Sequence, residues 1–250
     1  MDDEIVDALE AEQSELASVL AGLDRRSLNL ASRCDGWTIA DVLVHLAQTN
    51  ELAAASVHGE LAEAVGGGPG REGAADVDEW AGAAVEAERP DDPADAVWRY
   101  LASAESQLSA FRAVEPSRRV QWVVGDMAAR TLASTRLSET WIHSGDIAVG
   151  LGIEPEPTGR LWHVARLAHR TIPYAFLTAG IEPSGEVAFE LEAPDGRQWV
   201  FGAADAPTVI RGTAEDLCIV AGQRAAAADT GLRGEGPDAA LTLELVRTFA

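Results

Sequence analysis

Lysine is absent from this chain: all 19 basic residues are arginine, and against 41 Asp and Glu they leave a formal net charge of −22. A polyanion would be repelled by that field unless a local basic patch overrode it, because affinity for nucleic acid rests on cationic contacts to phosphate. No such cluster is visible, so RNA and DNA are not expected as partners. Cysteine is nearly absent too. Cys34 and Cys218 lie far apart and neither belongs to a C-x-x-C pair, which argues against a disulfide framework or a cysteine-rich zinc site and leaves reduced, mostly packed thiols. Also missing is any run near the roughly 18 to 20 apolar residues of a membrane helix. The N-terminal segment is acidic where a secretory signal would be basic and then apolar. The expectation is a cytoplasmic protein without a membrane partner.

What is present is the make-up of an ordinary globular chain, with 47% hydrophobic and 24% charged residues over 250 positions, enough for one large domain or two small ones. Arginine in place of lysine, with abundant Ala and Gly, is the mark of a GC-rich genome and hints at an actinobacterial source.

Helical periodicity dominates the first two thirds. Ile5, Val6, Leu9, Leu16, Val19, Leu20 and Leu23 recur at helical intervals from Asp3 to Leu23. Thr38 is a candidate N-cap with Asp41 three positions on, opening a helix from Ile39 to about Val57. Asp92 before Pro93 opens another, carrying Val97, Trp98, Leu101, Leu108 and Phe111. A fourth spans about Ala128 to Val149 and closes at Gly150-Leu151-Gly152. The stretch Gly66 to Gly73 is read as flexible punctuation, and the loops up to Pro90 carry no readable motif. A further helical pattern runs from Thr158 to Ala179, where Pro173 is expected to kink or end it. The period then changes: Val187, Phe189 and Leu191 alternate with glutamates, Asp195-Gly196 signals a hairpin before Trp199 to Phe201, and helices are expected at about Thr213 to Ala228 and Pro237 to Phe249. The reading is an α+β protein with a four-helix bundle over 1–180 and a small α/β domain over 181–250.

Glu139 and His143 lie four apart, which puts both on one face of the fourth helix, able to share one ion. His45 supplies a third ligand if the bundle brings the second and fourth helices together. A His/His/carboxylate set leaves an open position, the pattern of a catalytic and not a structural metal centre. Alone, such a pair is more often a solvated contact and a lone histidine more often a packing residue. Such donors suit zinc and non-haem iron alike, and spacing does not separate the two metals. Asp146 is either an orienting partner of His143 or a helix-end residue. His58 reads as a solvated helix-terminus group, and His163 and His169 are wrongly spaced to ligate together. Trp37 and Trp141 read chiefly as packing, with a pocket role as the lesser reading.

The block Cys34-Asp35-Gly36-Trp37-Thr38-Ile39-Ala40-Asp41-Val42-Leu43-Val44-His45-Leu46 resembles the GWT-x-x-D-x-x-x-HL block of the DinB-like superfamily, in its mycothiol-dependent maleylpyruvate isomerase branch. Glu139-Thr140-Trp141-Ile142-His143-Ser144-Gly145-Asp146 is similar to that branch's second block, and the likeness continues through Ala193-Pro194-Asp195-Gly196 to Gly222-Gln223-Arg224. The resemblance implies a DinB-like bundle in which His45, Glu139 and His143 bind zinc. It also implies that Arg224 is the active-site arginine, here following Gln223 where the family has glycine; a surface charge is the plain alternative. Some relatives carry the label "wyosine base formation", chemistry on a tRNA base that the net charge of −22 disfavours.

The implied activity is that of an isomerase or S-transferase with mycothiol as thiol cosubstrate. A metal-bound thiolate would add to an electron-poor double bond, and either leave after rotation or stay. Arg224, with a planar two-pronged donor, suits a carboxylate on the small-molecule substrate. A helix N-terminus makes a nucleophilic Cys34 conceivable, although packing is its favoured reading. The alternatives are a thiol-independent metal-dependent hydrolase or secondary-metabolism tailoring enzyme, and, third, a noncatalytic metal- or ligand-binding protein.

Overall fold

The computed structural model describes residues 4–66, 77–123 and 125–248, which form two compact units, 1–155 and 156–250. The glycine-rich stretch after Gly66 therefore lies outside the described residues.

Local signals set the helix ends of the first unit. Helix α1 (Glu4–Leu20) is followed by the short α2 (Arg25–Leu28), whose first turn is capped by Asp24 Oδ1 accepting from Ser27 N at 2.8 Å. Helix α3 (Ile39–His58) opens on the expected capping box: Thr38 Oγ1 accepts from Asp41 N at 3.2 Å, and Asp41 Oδ2 accepts from Thr38 N at 2.9 Å. Arg89 adds a bond from its Nε to Asp41 Oδ1 at 2.7 Å. That arginine follows α4 (Leu61–Gly66), in a stretch to which the sequence reading gave no element, and α5 (Val77–Glu88), in the region read as loop. The Ala- and Glu-rich run before Glu88 has high helix propensity, which outweighed the lack of a motif. Helix α6 (Pro93–Ala113) starts as expected on Asp92 and Pro93. The irregular stretch around Gly125 contains a two-stranded ribbon, β1 (Arg119–Val120) with β2 (Met127–Ala128), ahead of α7 (Ala129–Leu151), which ends on Gly152 at φ +67°.

The four long helices α1, α3, α6 and α7 form the expected bundle, with α3 along α6, α1 along α7, and α3 against α7. Leu43, Leu46, Leu132 and Leu137 are fully buried between them. A polar ladder crosses this interior: Gln13 donates to Gln107 at 3.0 Å, Gln107 to Asn50 at 2.9 Å and Asn50 to Ser103 at 3.3 Å. Buried hydrogen bonds of this kind fix the relative register of the helices that carry them.

The second unit begins earlier than the boundary expected near residue 181, because α8 (Leu161–Thr178) packs on its elements. Pro173 lies inside α8 without ending it. The sheet has the order β4-β3-β5-β6, from β3 (Val187–Glu192), β4 (Gln198–Phe201), β5 (Thr208–Thr213) and β6 (Arg233–Glu235), with β3 and β5 parallel and the other pairs antiparallel. His169 on α8 donates from Nε2 to Val187 O at 2.9 Å, tying helix to sheet. The two C-terminal helices are shorter than expected: α9 (Ala214–Ala221) and α10 (Ala239–Leu245). Helix α9 stops because Gln223 adopts φ +59°, a left-handed conformation held by its Nε2 bonds to Val220 O and Val246 O, both 3.2 Å.

Candidate metal centre

Three of the four residues singled out in the sequence meet in the first unit. His45 on α3 faces Glu139 and His143 on α7, and one ligand atom from each lies within 4.8 Å of the others. Glu139 Oε2 is 3.9 Å from His45 Nε2 and 3.6 Å from His143 Nε2. The imidazole centroids are 4.9 Å apart at 71°. Tetrahedral zinc with bonds of about 2.0 Å to N and O sets its donors about 3.3 Å apart, so sub-ångström movements would seat it. The side chains of His45, Glu139 and His143 are 12%, 24% and 10% exposed, which leaves a path to solvent through the glutamate.

The second nitrogen of His143 is also committed. Its Nδ1 stands 2.9 Å from Asp146 Oδ2, three residues along α7. A proton on Nδ1 donated to that carboxylate leaves Nε2 free to ligate, the orienting arrangement found behind metal-bound histidines. The Trp37 ring lies 5.3 Å from that of His45 and forms a wall beside it, whereas Trp141 makes no ring contact among the described residues.

Burial is the largest influence on all three candidate ligands, and it prevails at only one of them. It pushes the His45 pKa down, with the charges of His143 and Arg136 adding to it against Glu139, so this imidazole is held neutral and able to ligate. At Glu139 burial favours the neutral acid, but His143, His45 and the Arg136 charge outweigh it and hold the carboxyl well below its usual range. At His143 burial is outweighed by Asp146, Cys34 and Glu139, which raise its pKa well above the ordinary value. An ion binding at Nε2 would therefore replace a proton that faces Glu139.

Arg136 was not singled out from the sequence. It lies three residues before Glu139 on the same helical face, is 2% exposed, and donates from Nη2 to Thr49 Oγ1 at 2.7 Å, while its Nε has no hydrogen-bond partner. Arg224 belongs to the second unit, where its Nη1 donates to Gly222 O at 3.0 Å.

The loop carrying Cys34 is fastened to the end of α7. Arg33 N donates to Asp146 O at 3.1 Å and Ser32 N to Trp37 O at 2.9 Å, across a turn made at Gly36, φ +76°. Gly150 permits this approach, since a Cβ there would stand 2.5 Å from Ala31 O.

Residues 9–148 match the family described as mycothiol maleylpyruvate isomerase N-terminal domain. An uncharacterized Mycobacterium tuberculosis protein, found in two strains, is 32% identical over 248 residues, covering 97% of this chain and 93% of the relative. Among solved structures, the fold is similar to that of the mycothiol-dependent maleylpyruvate isomerase, with a TM-score of 0.62 at 16% identity, and to a mutant of that enzyme, with 0.63 at 15%. Each comparison covers 96% of both chains.

Proposed function

Because the chain belongs to the mycothiol maleylpyruvate isomerase N-terminal domain family, we propose that it is a metal-dependent enzyme that uses a low-molecular-weight thiol on an electron-poor double bond. The observation that carries this reading is the convergence of His45, Glu139 and His143 with Asp146 behind His143. These three side chains would hold a divalent ion, zinc by preference, with an open position. Bound there, the ion would supply the positive charge that favours the thiolate form of a thiol such as mycothiol.

The chain's own groups have separable tasks. His45 presents a neutral nitrogen, Glu139 a carboxylate kept ionised by its neighbours, and Asp146 fixes the ring of His143. Trp37 packs its ring beside that of His45. Arg224 is the proposed recipient of a substrate carboxylate, on the strength of the family resemblance.

The reaction proposed is a cis-to-trans isomerisation. A thiolate adds to the alkene carbon, the π electrons move onto the conjugated carbonyl as an enolate, the resulting single bond rotates, and collapse of the enolate expels the thiolate unchanged. In an S-transferase the enolate is protonated and the C–S bond stays. The test is an assay with maleylpyruvate, with and without mycothiol, on protein loaded with zinc. Turnover that needs both thiol and metal is the expected result. Metal-dependent turnover of an ester or amide without thiol would replace this reading with a hydrolase, and metal binding without any turnover with a passive binder.

A further inference from the structure

Cys34, His143 and Asp146 form a second three-donor group, sharing one imidazole with the first but using its other nitrogen. Cys34 Sγ is 3.2 Å from Asp146 Oδ2 and 3.8 Å from His143 Nδ1, and those two atoms are 2.9 Å apart. A tetrahedral ion of zinc's size, with bonds of about 2.0 to 2.3 Å, sets such donors about 3.3 to 3.6 Å apart, and a larger cation would spread them further. All three separations lie within half an ångström of that. The group is also built in advance: Asp146 is 1% exposed, the cysteine loop is bonded to α7 at Asp146 O, and Cys34 is half-buried and not in a disulfide.

We propose that Cys34, His143 and Asp146 are a second metal site, selective for thiophilic cations such as cadmium or copper(I). In the metal-free protein the carboxylate of Asp146 accepts from both the thiol and the imidazole Nδ1–H, so two shared protons hold three donor atoms together. A cation takes the place of both protons: the thiol proton leaves to solvent and the ring proton passes to the other imidazole nitrogen. The thiolate makes the site soft, whereas the His45, Glu139 and His143 set offers only nitrogen and oxygen. A neutral imidazole ligates through one nitrogen at a time. An ion at Nδ1 therefore moves the ring proton to Nε2 and withdraws His143 from the first set, so the two sites exclude one another and the soft cation is an inhibitor.

The test is titration of reduced, metal-free protein with cadmium alone, following sulfur-to-cadmium charge-transfer absorption and bound equivalents. His45→Ala, which disables only the first set, should bind one equivalent and show the thiolate band. Cys34→Ser should lose the band and weaken cadmium binding by about tenfold or more. Alkylation of Cys34 in the unaltered protein gives the same readout without a variant, since Cys218 is fully buried. Cadmium bound by His45→Ala without a thiolate band, or a band that survives Cys34→Ser or alkylation, would overturn the proposal. Zinc binding by Cys34→Ser is read separately: its loss counts against the first set, not the second.

Discussion

Asp146 Oδ2 stands 2.9 Å from Nδ1 of His143, one helical turn along α7, and this contact decides which imidazole nitrogen is free. The same carboxylate oxygen accepts from the Cys34 thiol at 3.2 Å, so the residue links the cysteine loop to the proposed ligand set.

Truncation of that carboxylate should loosen the metal more than the fold. Asp146→Ala is expected to weaken zinc binding by roughly 10- to 100-fold. Asp146→Asn should fall between, since its amide oxygen can still accept from Nδ1. Competition against a chelating dye measures both, and equal affinities in all three proteins would refute the orienting role.

The start of α3 carries a pH dependence whose sign is fixed by Asp41. Burial pushes its carboxyl pKa up, but the bonds from Arg89 and Thr38 outweigh it and leave the value below the ordinary 3.8. The folded state thus binds this proton less readily than the unfolded state. The stability gained is fully present above about pH 4 and is lost as pH falls through the lower folded value. Urea midpoints should show Asp41→Asn about 1 to 2 kcal/mol less stable at neutral pH, with the gap narrowing only in acid. A gap unchanged down to pH 2 would contradict the assignment.

Gly150→Ala sets two effects against each other. Alanine is favoured over glycine within a helix by about 1 kcal/mol. Its Cβ would stand 2.5 Å from Ala31 O and 3.2 Å from Ser32 Cα, both backbone atoms, so the loop must shift. Overpacking of this kind costs about 1 to 3 kcal/mol and should win, giving net destabilisation by thermal melting. Faster alkylation of Cys34 in this variant would report the displaced loop.

Legibility in the sequence followed the range of the interactions involved. The capping box of Thr38 and Asp41, the Asp92-Pro93 start and the Gly152 end are local, and each stands where the sequence placed it. Glu139 and His143 were readable as a pair through helical spacing, and His45 through the four-helix pattern together with the family block that ends on His45-Leu46. Arg136 escaped notice because an arginine on a helix is ordinarily solvated, and its burial comes from packing against Thr49 on another helix. The amphipathy of α8 showed that it needed a partner but not which one, so the boundary was placed too late. Strand β5 was not foreseen: Pro207 before it and Arg211 and Gly212 within it mask the short alternation of Thr208 and Ile210, both buried.

The central claim is a metal ion held by His45, Glu139 and His143, and elemental analysis of protein purified without an affinity tag tests it most directly. About one equivalent of a divalent ion, zinc by preference, is expected in the native protein. Folded His45→Ala and Glu139→Ala variants are expected to lose that ion. A folded native protein that neither carries nor takes up a metal, or variants that keep a full equivalent, would contradict it.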